Sequence, residues 1–140
     1  MRREQHMRKI VLFFVVSLGL ILPTNRVRAH HSFTAEYDSA KVMSFTGSVT
    51  KVEWMNPHAR FYLDVKSSQG ITTNWNFELG SPVFLRKLGW KQDSLKVGDL
   101  VTVEGYLAKD GSKMANARKV TMADGRSVFV GSSADGNPTR

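Results

Sequence analysis

The sequence contains no cysteine. That excludes disulfide scaffolds, thiolate zinc sites, iron-sulfur clusters and cysteine nucleophiles together. Any metal must be held by His, Met, carboxylate or backbone. Long apolar runs are nearly absent too: the one continuous stretch, Ile10 to Leu22, has 13 residues, whereas a membrane-spanning helix needs about 20. No stable membrane anchor is expected. The chain has 140 residues, enough for one small domain and no more.

The formal charge of +8 is not that of a folded surface. Residues 1–29 carry Arg2, Arg3, Arg8 and Lys9 ahead of the apolar stretch, then Pro23 and Val27-Arg28-Ala29. A charged head, a short apolar middle and a small residue before the cut form the pattern of a secretory signal. Cleavage near Ala29 and a periplasmic or secreted location are therefore expected. Six of the 20 basic residues and one of the 12 acidic ones lie in 1–29, so 14 basic against 11 acidic remain, a net +3. Affinity for nucleic acid follows the number of phosphates neutralised, and no nucleic-acid partner is expected.

Residues 30–41 are polar and unpatterned, and read as an extended N-terminal arm. From Val42 the pattern is that of strands, and the barrel domain is placed at 42–130. In Thr46–Trp54, Thr50, Val52 and Trp54 share one face, and Asn56-Pro57 marks a turn. Ala59, Phe61, Leu63 and Val65 then alternate with Arg60, Tyr62, Asp64 and Lys66, the period of a half-buried strand. After Ser67-Ser68-Gln69-Gly70, a third strand places Ile71, Thr73, Trp75, Phe77 and Leu79 inward. Ser81 as N-cap, Pro82 at the first helical position and Gly89 as terminator predict one short helix, with Phe84, Leu85 and Leu88 on its apolar side. Leu100–Leu107, Ala115–Met122 and a return at Ser127–Val130 complete the strands. Residues 131–140 have the composition of a disordered tail.

Three strands, a short helix and two further strands are the element order of an OB-fold-like antiparallel barrel, mainly β. Another small barrel or sandwich stays open as the alternative.

Three histidines remain after the signal: His30, His31 and His58. Cleavage after Ala29 makes His30 the first residue, with a free amine beside its ring. Amine and imidazole of one residue chelate one ion, and a second imidazole completes a nitrogen set that suits copper as Cu(II). The amine, with a reference pKa of about 7.7–8.0, gives up its proton to a metal near neutrality. His58, after a rigid turn, is the natural second imidazole, with His31 the competitor. Met55 is a candidate soft ligand and Asn56 a further accessory residue. The plain alternative is an adventitious histidine tail, with His58 tying its own loop to backbone.

Trp54, Phe61, Trp75 and Phe77 lie on neighbouring strands, where OB-folds stack ligands. Their place on the apolar face favours core packing instead. Glu53, Asp64, Glu78 and Glu104 are expected on a solvated face. No GxSxG elbow, phosphate loop or dinucleotide fingerprint occurs. A non-enzymatic binding protein is the expectation, holding copper or, alternatively, binding a protein or small ligand in the cell envelope without metal.

The stretches His30-His31-Ser32-Phe33, Glu53-Trp54-Met55-Asn56-Pro57-His58-Ala59-Arg60-Phe61 and Glu78-Leu79-Gly80-Ser81-Pro82 resemble a family of small exported bacterial proteins of unknown function. Gly98-Asp99 and Gly105-Tyr106 fit it as well, so the resemblance covers nearly all of 30–130. It implies a signal peptide and a small β-barrel, and it implies no activity.

Overall fold

Alternating apolar residues require a sheet with one face covered, and here the sheet covers itself by closing. The structure, a computed structural model, describes residues 33–130. A short helix, α1 (Phe33–Glu36), leads into β1 (Tyr37–Glu53), β2 (Arg60–Lys66) and β3 (Thr72–Glu78); α2 (Pro82–Lys87) follows, then β4 (Leu100–Ala108), β5 (Met114–Met122) and β6 (Ser127–Val130). The strand order is β3-β2-β1-β4-β5-β6, and β3 also pairs with β5. That last pairing is parallel, over Asn76–Glu78 against Met114–Asn116, and turns the sheet into a ring; the other pairings are antiparallel. The result is mainly β and OB-fold-like, with a helix between the third and fourth strands. The expected signal segment, the first residues of the arm and the 131–140 tail lie outside the described residues.

Phe61, Leu63, Phe77, Val103 and Val120 are fully buried inside the ring. Phe61 and Phe77 stack at 5.2 Å, and Phe45 packs on Phe77 and Trp75 at 5.2 and 4.5 Å. These rings form the core and do not offer a stacking platform. Trp90 and Leu85 close over them from α2 and the turn beyond it. Ser81 caps α2 by accepting from the Phe84 backbone N–H, and Gly89 takes φ 86° just past its end, a backbone conformation that costs a Cβ-bearing residue about 1 kcal/mol or more.

Several sequence expectations shift. The arm is not extended throughout: α1 forms within it, and β1 begins at Tyr37, five residues before the expected Val42. Thr50 is exposed, because the β1–β2 register slips between Val49 and Lys51. This bulge puts one extra residue into β1, so Val49 and Val52, three apart, both reach the core. Ile71 precedes the third strand and is exposed, and Leu88 turns outward beyond α2. Glu78, expected in solvent, is 2% exposed.

Candidate functional site

Inward Ala59, Phe61, Phe77 and Leu79 leave His58, Arg60 and Glu78 on the outer side of the sheet, since side chains alternate along a strand. Register then brings them together. Arg60 stands opposite Glu78 across the β2–β3 ladder. The ladder continues through the Ala59 N–H to the Gly80 carbonyl at 3.1 Å and the Leu79 N–H to the Ala59 carbonyl at 2.9 Å. His58 is the next outward position, beyond the cis Asn56–Pro57 peptide. The parallel β3–β5 pairing adds Asn116 opposite Glu78.

Glu78 is the centre of this cluster. Its Oε2 accepts from Arg60 Nη2 at 2.7 Å, and its Oε1 accepts from His58 Nδ1 at 3.1 Å and from Asn116 Nδ2 at 3.4 Å. The start of β1 covers it. Tyr37 is buried, and its phenol is held protonated well above the ordinary range, first by burial and then by the adjacent Glu78 carboxylate. An outward-facing carboxylate is thus taken out of water by the arm. Burying such a charge is tolerable only because it is paired and hydrogen-bonded.

His58 is poised differently from its partners. Its side chain is 33% exposed, and Nδ1 is the ring nitrogen committed to Glu78. The Glu78 hydrogen bond raises the His58 pKa above its ordinary 6.5, and partial burial works against it. With the folded value above the unfolded one, the stabilisation is fully present below about pH 6.5 and is lost as pH rises through the folded value. In the metal-free protein, NMR titration of the His58 ring is expected to give a midpoint above 6.5, and Glu78→Gln is expected to lower it. A midpoint at or below 6.5 in the native chain would mean that burial outweighs the carboxylate.

The arm is fastened at this end of the molecule. Phe33 packs on Tyr37 and Tyr106 with ring centroids at 5.5 and 5.3 Å. Lys109 Nζ donates to the Thr34 carbonyl at 2.6 Å, and the Lys109 backbone N–H donates to the Glu36 carbonyl at 2.9 Å.

Of the residues singled out in the sequence, His58 lies in the cluster, while Met55 and Asn56 are exposed in the loop just before it. His30 and His31 lie outside the described residues. Among the described residues no group of three or more His, Asp or Glu side chains is arranged to hold a metal. Glu78, Arg60, Asn116 and Tyr37 were not legible as site residues. The available signal was that His58, Arg60 and Glu78 all fall on the outward phase of their strands, which no single strand could turn into a contact.

The fold and this cluster define a class: a small OB-fold-like domain whose outer face carries a histidine anchored on a buried carboxylate. The chain belongs to a family described as "Family of unknown function (DUF6152)", whose model matches residues 19–117. No curated protein matches it. Among solved structures it is similar to a mitochondrial single-stranded DNA binding protein from S. cerevisiae, Rim1, at 15% identity, covering 59% of this chain and 93% of that one with a TM-score of 0.47. Among the described residues, no helix is long and apolar enough to cross a membrane.

Proposed function

We propose that this is an exported protein that holds one copper ion between the mature N-terminal histidine, His30, and His58. The observation that carries the reading is the His58–Glu78 hydrogen bond at 3.1 Å. Metal-binding histidines almost always donate their other ring N–H to a carboxylate, carbonyl or water, which fixes the tautomer and aims the free nitrogen at the ion. His58 has that arrangement, with Nε2 as the ligating atom.

The anchored arm supports the second half. From Phe33 back to His30 is three residues, at most about 10 Å of extended chain. Export with cleavage after Ala29 would supply the amine. Amine and ring of His30 with Nε2 of His58 make three nitrogens, a set matched to Cu(II). His31 competes for the second-imidazole position, and Met55, which is exposed, is the candidate soft ligand for Cu(I), with Asn56 a further accessory residue. The role this donor set suggests is holding or delivery of the ion. The second reading, a module that takes a small ligand without metal, has its own observation in a pocket beside Arg60.

Mass spectrometry of the exported protein should give a chain starting at His30. Titrated with Cu(II), that chain is expected to show a one-to-one, nitrogen-rich paramagnetic resonance signal. His58→Ala, and separately one extra residue ahead of His30, should each weaken binding by at least about 10- to 100-fold, the range that losing only a residue behind a metal ligand already costs. Binding that survives both changes would identify a histidine tail and sink the proposal.

A further inference from the structure

Arg60 also lines an open surface pocket of about 560 Å³. Its walls carry two cations, Arg60 and Lys109, and two acids, Glu36 and Asp110. The remaining lining is apolar or soft: Met114 and the methyls of two alanines. One wall is the arm itself, fixed in place by the two hydrogen bonds from Lys109.

The guanidinium is incompletely matched on this side. Nη2 is used by Glu78, but Nη1 faces the Met114 sulfur at 3.4 Å, and a thioether is a weak acceptor. A carboxylate in the pocket would replace that contact with a charge-assisted hydrogen bond of roughly twice the strength of a neutral one. A simple anion would gain this bond but would also meet Glu36 and Asp110. A simple cation would meet Arg60 and Lys109. A ligand carrying both charges is complementary to both pairs.

We propose that this pocket binds a free α-amino acid with an apolar side chain, its carboxylate on Arg60 and Lys109, its ammonium toward Glu36 and Asp110, and its side chain against Met114. The site is separate from the His58 nitrogen proposed for copper, and it needs no metal.

The test uses the full chain stripped of metal with a chelator, with L-leucine as the probe and the Met114 methyl resonance as the readout. Saturable shifts with a Kd below about 1 mM, the level that marks a real if modest site, are expected. Leucinamide, which lacks the carboxylate, and N-acetyl-leucine, which lacks the ammonium, should each bind at least about tenfold more weakly. Because changing Arg60 would also strand Glu78, the variant of choice is Glu36→Gln; it should weaken leucine about tenfold and leave N-acetyl-leucine, which no longer meets that carboxylate, bound at least as well as before. Absence of saturable shifts up to about 10 mM would overturn the proposal. So would N-acetyl-leucine binding as well as leucine, which marks a plain anion site, or leucinamide doing so, which marks a plain amine site. None of these outcomes bears on copper, and failure of the copper titration leaves this measurement intact.

Discussion

Glu78→Ala is expected to destabilise the domain by about 3 kcal/mol, near the lower end of what breaking a buried ion pair costs. The carboxylate accepts from Arg60, His58 and Asn116 at once, so its removal leaves three donors facing a cavity. Asn116 is fully buried and has no access to water, whereas Arg60 keeps 30% of its side chain exposed. That exposure lets the stranded guanidinium recover part of its hydration and holds the loss below the upper end of the range. Glu78→Gln keeps the volume and one acceptor oxygen but turns an amide toward a donor, so an intermediate loss is expected. Urea unfolding of the two variants beside the native chain measures both. A native-like midpoint for Glu78→Ala would show that the cluster contributes nothing to the fold and would remove the basis for a fixed His58.

The second large effect concerns the core. Phe77→Ala is expected to cost about 3–5 kcal/mol, the usual range for removing a buried phenylalanine. Phe77 is completely buried, stacked on Phe61 and met edge-on by Phe45. It also lies in the three-residue stretch where β3 pairs with β5, so a collapse there loosens the closure of the ring. Trp75, partly exposed at the neighbouring inward position, should tolerate truncation better because water can fill part of the space. Chemical denaturation with a tryptophan-independent probe, such as far-ultraviolet circular dichroism, distinguishes the two. If Phe77→Ala left stability unchanged, the aromatic set would have to be reassigned from core to ligand surface.

The two effects arise from opposite phases of one strand. Phe77 faces in and Glu78 faces out, yet both are buried. The first was legible from alternation alone. The second was not, because an outward residue is buried only if some other segment lies on top of it, and here that segment is the start of β1, with Tyr37 and the arm.

Local order determined the strands at Arg60–Lys66 and Thr72–Glu78, the Ser81-Pro82 start of α2 and the identity of the aromatic core, since these depend on periodicity and caps written in neighbouring residues. His58 was legible as a candidate because a histidine after Asn56-Pro57 stands out among few. What surrounds it was decided only by tertiary structure. Arg60 reaches Glu78 through cross-strand register, Asn116 through the parallel β3–β5 closure, and Tyr37 through the return of the arm across the outer face. Each of these joins residues far apart in the chain, and a period of two says which side a residue takes but nothing about which residue it will meet there.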